Sequence, residues 1–305
     1  MTTVGDDLDL ALVRDVRATD PGRIRELYAA RRRRPMLGGD GRLMIVAADH
    51  PARGALGVRG DATAMADRGG LLRRLMVALA DPGVDGVLGT PDILDDLLLL
   101  GALDGKLAFG SMNRGGIQGS AFELDDRFTG HDVQRIVDRG LDGGKMLCRI
   151  DLADPATVAT LESCGKAISA LADQSLPAMI EPFLSHRQNG RVVNDLTSPD
   201  VVRSVTIASG LGADSAYTWL KLPVVEGLED VMAATTLPTL LLGGDPSGAP
   251  EETYTKWEHA LTLPGVRGLV IGRALLFPPD GDVASAVSTA VRLVHRESRP
   301  EVVVA

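Results

Sequence analysis

One lysine in this chain stands where its amine could act as a nucleophile. Only five of the 32 basic residues are lysine, and Lys221 lies near the end of the apolar run Ala216–Leu222, which we predict to be a strand. Side chains alternate along a strand, so Lys221 shares a face with Tyr217 and Trp219. Burial there lowers the pKa of an ammonium and favours the neutral amine, which attacks a carbonyl to form an imine. The alternative is a strand-end lysine that reaches solvent or an ion pair.

A second predicted strand, Lys145–Ile150, carries charged side chains on one face. Lys145 and Arg149 share that face with Asp151, and apolar residues occupy the other face. Burying such groups is costly unless they pair or bind a ligand. Arg149 therefore either binds an anionic substrate group or forms a structural ion pair, for example with Asp151.

Two acidic residues lie near the ends of other predicted strands. Glu181 belongs to the run Ala178–Phe183, and Asp49 follows the run Leu43–Ala48 and precedes His50. A carboxylate beside a nucleophilic lysine can carry the protons that imine formation and breakdown require. Asp49 can orient a lysine or hold a substrate hydroxyl. For each acid, a polar role in the core is the alternative.

The last two predicted strands end in glycine turns, Gly243-Gly244-Asp245 and Gly272-Arg273. Backbone N–H groups in such loops often bind phosphate, and arginine adds a fork of donors for an anion. The charge of Asp245 argues against a fully ionised phosphate close by. Ordinary strand–helix turns are the alternative.

A repeating unit of apolar run, turn and amphipathic helix positions these residues. The predicted strands are Leu43–Ala48, Gly86–Leu88, Leu107–Ser111, Lys145–Ile150, Ala178–Phe183, Ala216–Leu222, Thr239–Leu242 and Gly268–Ile271. Eight strands alternating with helices predict a parallel (β/α)8 TIM barrel, whose chemistry lies at the carboxyl ends of the strands. An open doubly wound sheet is the second choice, but no glycine fingerprint follows the first strand.

We divide the chain into an N-terminal helical extension (1–40), the barrel (41–297) and a C-terminal tail (298–305). Helices are predicted between the strands, among them Asp61–Ala80, Pro155–Ala172 and Glu251–Leu261. The basic run Arg31–Arg34 continues the helical pattern of the extension, and we expect it to form a solvated face or a subunit contact.

Composition narrows the classes of function. The net charge is −9, which argues against a nucleic-acid partner. Cys148 and Cys164 lack the spacing of a metal site or a disulfide scaffold, and no apolar run is long enough to span a membrane. We expect a cytoplasmic enzyme with no membrane partner, which associates into homo-oligomers as such barrels commonly do.

Five segments, in order, resemble the class I (Schiff-base) aldolase superfamily of DeoC and LacD type, and most nearly tagatose-bisphosphate aldolase. They are Ala47–Gly54, Lys145–Asp151, Glu181-Pro182, Trp219–Val224 and Gly268–Arg273. The archaeal class I fructose-bisphosphate aldolases are a more distant match. The chain also resembles actinobacterial barrel proteins associated with inositol breakdown. Arg149, at a tyrosine-type position of the family, indicates a carboxylate or another anion on the substrate.

The resemblance implies cleavage or formation of a C–C bond in a small phosphorylated or acidic sugar through a lysine Schiff base. Such chemistry requires neither a metal nor an organic cofactor. The predicted catalytic residues are Lys221, Glu181 and Asp49. The predicted substrate contacts are His50, Lys145, Arg149 and Arg53, and the predicted anion-binding residues are Gly243, Gly244, Gly272 and Arg273.

Two alternatives stay open at this point. One is a metal-assisted lyase or isomerase that uses His50, Asp49 and Glu181. The other is a non-catalytic barrel that binds a sugar phosphate.

Overall fold

A closed β-barrel forms the centre of the molecule. The computed structural model describes residues 8–244 and 248–295. The strands there are β1 (Leu43–Ala47), β2 (Gly86–Gly89), β3 (Leu107–Ser111), β4 (Gly143–Ile150), β5 (Ala178–Gln188), β6 (Arg191–Asn194), β7 (Thr218–Pro223), β8 (Thr239–Leu242) and β9 (Val266–Ile271). All except β6 pair in parallel, and the pairs β1–β9 and β4–β5 close the ring. The predicted (β/α)8 barrel is confirmed.

Helices fill most of the connections and surround the barrel. In chain order they are α1 (Leu10–Thr19), α2 (Gly22–Ala30), α3 (Arg68–Ala80), α4 (Pro91–Leu99), α5 (Val133–Asp138), α6 (Ala156–Ala172), α7 (Ser198–Ser209), α8 (Leu228–Ala233), α9 (Pro250–Ala260), α10 (Arg273–Leu276) and α11 (Val283–His295). α3 begins later than the predicted Asp61, because Asp67 caps it by accepting hydrogen bonds from the backbone N–H groups of Gly69 and Gly70.

The strands read as continuous apolar runs because both of their faces are buried. Inside the barrel, Ile45, Phe109 and Met179 belong to a small inner core. Outward-facing residues such as Leu220 and Leu222 join the larger core between barrel and helices. Alternation along each strand therefore decides which side chains can reach the barrel axis.

The basic run of the N-terminal extension departs from the prediction. α2 ends at Ala30, and Arg31 to Arg34 follow it outside any helix. Arg31 is buried, with Nη2 2.8 Å from the carbonyl oxygen of Gly140 and 3.1 Å from Asp142 Oδ2. Arg34 pairs with Asp85. Both carboxylates lie at the amino ends of barrel strands, so the run joins the extension to the bottom of the barrel instead of forming a solvated helix face.

A hairpin at the mouth of the barrel was not predicted. β5 continues past the barrel and pairs antiparallel with β6 through a two-residue turn at Asn189 and Gly190. Both turn residues have positive φ, +51° and +77°, which is typical of Asn-Gly hairpins. The hairpin brings Asn194 to the edge of the cavity described below.

The predicted tail at 298–305 lies outside the described residues. Within the described residues, no helix combines the length and apolar character needed to cross a bilayer.

Candidate active site

A cavity of about 740 Å³ opens at the carboxyl ends of the barrel strands. Its lining includes every residue that the sequence analysis assigned to a site, which are Asp49, His50, Arg53, Lys145, Arg149, Glu181, Lys221, Gly243, Gly244, Gly272 and Arg273. Parallel strands deliver their last residues to one end of a barrel, which is why segments so far apart in sequence meet here.

Two lysines and two carboxylates form the centre of the cavity floor. Lys221 Nζ lies 2.7 Å from Glu181 Oε1. Lys145 Nζ contacts the other oxygen of the same carboxylate, Oε2, and lies 3.3 Å from Asp49 Oδ2. All four residues are buried. The strand register places them together. Leu147 lies opposite Glu181 across the β4–β5 pair, and Lys145, two residues before Leu147, points to the same inner face.

An arginine that the sequence analysis missed completes this cluster. Arg114 follows β3, and its Nε donates to Ser111 Oγ at 2.8 Å while its Nη1 donates to the backbone carbonyl of Asp49 at 2.9 Å. Its Nη2 contacts Asp49 Oδ2, to which Ser111 Oγ donates at 3.1 Å. The long connection between β3 and α5 has no periodic pattern that could have identified Arg114.

The charges of this cluster govern its protonation. Burial alone would raise the pKa of each carboxyl group, but Lys145 and Lys221 lower that of Glu181 to about 2. Arg114 and Lys145 hold the pKa of Asp49 well below its usual range, again against the effect of burial. Burial lowers the pKa of Lys145 to about 8, although Asp49 and Glu181 oppose the shift. Lys145 can therefore exchange a proton near neutral pH.

His50 lies beside the cluster as a neutral imidazole. Burial and the charges of Arg273 and Lys221 lower its pKa to about 3, although Asp49 opposes the shift. Its Nδ1 is 3.8 Å from Asp49 Oδ1, and the side chain is 28% exposed. His50 can therefore donate or accept a hydrogen bond in the cavity without adding charge.

Arg149 and Arg53 bind the connection between β3 and α5. Arg149 Nη1 lies 2.7 Å from Glu123 Oε1, and Nη2 donates to the Glu123 carbonyl at 2.6 Å. Arg53 Nη2 lies 2.5 Å from Asp126 Oδ2 and 2.7 Å from the carbonyl oxygen of Asn113. Of the two readings of Arg149, the structure contains an ion pair, but with Glu123 and not Asp151. Both arginines hold this connection as one wall of the cavity.

Backbone and glycine geometry shape the opposite side of the cavity. A Cβ atom on Gly272 would lie 2.6 Å from the carbonyl oxygen of Ala47 and 3.1 Å from His50 Cε1, so only glycine fits there. Gly244 has a φ of +65°, which also favours glycine. Asp245, which we expected to repel a phosphate, lies outside the described residues.

The alternative of a metal-assisted reaction would require a group of metal-ligating side chains. Among the residues that the structure describes, no three His, Cys, Asp or Glu side chains are grouped so that they could hold an ion. Asp49 and Glu181 instead bind lysine and arginine.

Comparisons with known proteins identify the family of the chain and relatives of its fold. The fold and the site together define a closed (β/α)8 barrel with paired lysines and carboxylates in its mouth. The chain belongs to the Cgl0159-like family, whose model matches residues 41–291. It is similar to the crystal structure of Cgl0159 from Corynebacterium glutamicum, with 59% identity and a TM-score of 0.91 over 94% of this chain and 96% of that one.

Distant structural relatives carry an aldolase name. An archaeal fructose 1,6-bisphosphate aldolase is 18% identical, with a TM-score of 0.64 over 90% of this chain and 99% of that one. The fructose-bisphosphate aldolase from Slackia heliotrinireducens is 14% identical, with a TM-score of 0.55 over 96% and 95%. At such identities the likeness shows the fold alone. No curated protein matches the sequence significantly.

Proposed function

We propose that this protein is a class I aldolase that cleaves or forms a C–C bond in a small phosphorylated or acidic sugar. The observation that carries the proposal is the buried contact of 2.7 Å between Lys221 Nζ and Glu181 Oε1 on the floor of the cavity. A nucleophile within hydrogen-bond reach of a proton carrier is the arrangement that covalent catalysis requires. The aldolase-like fold supports the same reaction class.

The reaction begins at Lys221. The neutral amine attacks the ketone carbon, the nitrogen gives up a proton, and the former carbonyl oxygen takes one up to give a neutral carbinolamine. A second proton on that oxygen allows water to leave, which forms the protonated imine. Glu181 moves these protons through Lys145, whose pKa of about 8 suits exchange near neutral pH.

Cleavage then uses the imine as an electron sink. A base takes the proton of the hydroxyl on the carbon to be released, that hydroxyl becomes an aldehyde, and the electrons of the broken C–C bond flow into the imine to give an enamine. Protonation of the enamine carbon and hydrolysis of the imine release the second product and restore Lys221. Asp49 and Lys145 orient the hydroxyl groups during these steps.

The charge of the cavity supports an anionic substrate. Among the residues that the structure describes, its lining has seven basic side chains, Arg53, Arg114, Lys145, Arg149, Lys221, Lys256 and Arg273, against three carboxylates, Asp49, Glu181 and Glu252. Such an excess attracts anions into a cleft. We infer that Gly243, Gly244, Gly272 and Arg273 bind the phosphate or acid end. The sequence resemblance favours a keto-acid sugar phosphate, of the kind formed in inositol breakdown, as the substrate.

Borohydride trapping tests this proposal. With dihydroxyacetone phosphate, reduction of the wild-type protein should give a covalent adduct of the size of the ketone, which mass spectrometry of the digested protein maps to Lys221. Lys221→Ala should give no adduct. Lys166→Ala, which removes an exposed lysine on α6, should react like the wild type.

Other donors separate a wrong substrate from a wrong mechanism. If dihydroxyacetone phosphate leaves no adduct, the same experiment with pyruvate, malonate semialdehyde and acetaldehyde follows. Absence of an adduct with every donor, or an adduct that maps to another lysine and persists in Lys221→Ala, overturns the proposal.

A further inference from the structure

Arg114 has a geometry that neither the proposed mechanism nor the family membership explains. It is 7% exposed, and all three nitrogens of its guanidinium bind either Asp49 or Ser111. The bond from Nη1 to the backbone carbonyl of Asp49 fixes the arginine relative to β1. The bonds to Ser111 Oγ and Asp49 Oδ2 then fix the carboxylate relative to β3.

The Asp49 carboxylate transmits this constraint to the lysines. Its Oδ2 atom contacts Arg114 Nη2 and also lies 3.3 Å from Lys145 Nζ. Lys145 in turn contacts Glu181, whose second oxygen lies 2.7 Å from Lys221 Nζ. Arg114 is therefore connected to Lys221 through three intervening side chains, although no direct contact joins the two.

Four charged groups from four different parts of the barrel act on Lys145. They are Asp49 after β1, Arg114 after β3, Glu181 on β5 and Lys221 on β7. The two carboxylates favour the ammonium form of Lys145, and the two cations oppose it. Removing Arg114 deletes one of the opposing cations and leaves Lys145 as the closest cation to Asp49.

We propose that Arg114 is a positioning residue of the proposed aldolase, which holds Asp49 against Lys145 and so sets the geometry and proton affinity of the Lys145–Glu181–Lys221 relay. The inference rests on the proposed function. A direct role in substrate binding is the rival, but the bonds to Asp49 and Ser111 already engage Nε, Nη1 and Nη2.

Exchange of the carbon-bound hydrogens of dihydroxyacetone phosphate with solvent deuterium, followed by proton NMR, reports on this relay without an aldehyde partner. Arg114→Ala should lower the maximal exchange rate about 100-fold, the cost of a displacement of about 1 Å near reacting groups. The KM for dihydroxyacetone phosphate should change little. The limb of the pH–rate profile that follows the ionisation of Lys145 should move to higher pH. Loss of Arg114 removes a cation that disfavours the ammonium form of Lys145.

Two further measurements separate positioning from general damage. Guanidinium ion added to Arg114→Ala should raise the exchange rate of this variant at least tenfold. Arg114 lines the cavity, so the space that it vacates is open to solutes. Arg114→Lys, which keeps the charge but lacks the three-way fork, should lose rate to an intermediate degree. Should the alanine variant fail to fold, the lysine variant carries the test of the rate and the pH limb.

Arg31→Ala is the matched control. Arg31 is as buried as Arg114 and also pairs with an aspartate, but at the other end of the barrel. It should lower stability and leave the pH profile of exchange unchanged.

Three outcomes decide between the possibilities. A lower rate, a shifted limb and guanidinium rescue, with the borohydride adduct still on Lys221, support the proposal. A raised KM with an unshifted limb assigns Arg114 to substrate binding and overturns it, as does a wild-type profile in Arg114→Ala. A wild-type protein that forms no adduct with any donor removes the proposed function itself, and the inference with it.

Discussion

At the scale of single residues, the site depends on shared carboxylates. Glu181 offers one oxygen to each lysine, and Asp49 offers one oxygen to both Lys145 and Arg114. Buried charges persist only when such partners compensate for lost hydration. The cluster therefore holds several ionised groups close together, and a proton added to one of them changes the charge that its neighbours experience.

His50 provides a prediction at this scale. Its imidazole is neutral, with a pKa of about 3, so it should not titrate in the range of ordinary assays. His50→Gln, which keeps a neutral hydrogen-bonding side chain, should preserve the shape of the pH–rate profile between about pH 5 and 8, the range in which an unperturbed histidine titrates.

The measurement is kcat/KM across that range for both proteins, with the exchange of dihydroxyacetone phosphate as the reaction. A change in KM alone is compatible with the prediction, because His50 lines the cavity. An inflection near pH 6.5 that the glutamine variant lacks would contradict it.

The sequence located the members of the candidate site that lie on the strands or soon after them, and it missed those in the connection between β3 and α5. Lys221, Glu181, Lys145 and Asp49 were found because alternation and strand ends determine where such residues point. Arg114, Glu123 and Asp126 lie in the connection between β3 and α5, where no period applies. Their contacts depend on the tertiary path of that connection, which a single sequence does not encode in any local pattern.

At the scale of elements, carboxylates at the amino ends of strands join the N-terminal extension to the barrel. Asp85 Oδ2 accepts a hydrogen bond from the backbone N–H of Met44 at 2.7 Å, and Asp142 Oδ2 accepts one from Ala108 at 2.9 Å. Arg34 and Arg31 pair with these same carboxylates. Each aspartate thus fixes a neighbouring strand and an arginine of the extension together.

Arg31 is expected to contribute most to this attachment. Its side chain is fully buried, and Arg31→Ala leaves Asp142 without its buried partner, although the partly exposed Arg33 remains. Loss of one member of a buried pair costs about 3–5 kcal/mol. Urea denaturation should show a loss of free energy of unfolding near the lower end of that range.

The neighbouring arginine is the control. Arg32 pairs with Asp104 on the surface, where its side chain is 79% exposed, and exposed ion pairs contribute about 0–1 kcal/mol. Arg32→Ala should therefore unfold at nearly the wild-type urea concentration. Equal losses in both variants would show that the run acts through its total charge and not through the buried pair.

Elements with a periodic pattern could be predicted from the sequence, whereas the hairpin of β5 and β6 was not predicted. Each of the eight predicted strands overlaps a barrel strand, because burial on both faces gives a continuous apolar run. β6 was missed because it is short and partly exposed, with polar neighbours. Asn189-Gly190 was nevertheless a usable signal, since that pair is the strongest short-range indication of a hairpin.

At the scale of the whole molecule, the two ends of the barrel have different chemistry. The carboxyl end holds the cavity and its cationic lining. The amino end holds the arginine–aspartate pairs. It also holds the contact between α11, the last described helix, and the start of the barrel, where His295 pairs with Asp40 in the turn before β1 and with Asp85 before β2. Predictions about activity therefore belong to one end and predictions about stability to the other.

His295 makes global stability depend on pH. Its Nδ1 lies 2.6 Å from Asp40 Oδ2, and its Nε2 lies 2.9 Å from the carbonyl oxygen of Gly83 and 3.2 Å from Asp85 Oδ2. The hydrogen bond to Asp85, with that to Asp40, raises the pKa of His295 to about 9, although burial opposes the shift. A group whose pKa is raised on folding stabilises the protein fully below its unfolded value, about 6.5.

The stabilisation should disappear as the pH rises through about 9. The shift from 6.5 to about 9 corresponds to about 3 kcal/mol. His295→Gln should therefore be less stable than the wild type by about that amount in urea denaturation at pH 6, and the difference should shrink strongly at pH 10, where the wild-type imidazole is neutral. Other groups titrate over the same range, so the quantity to follow is the difference between the two proteins. A difference that stays constant from pH 6 to 10 would mean that His295 acts through packing alone, and the charged bridge between α11 and the entry to β1 would not contribute to stability.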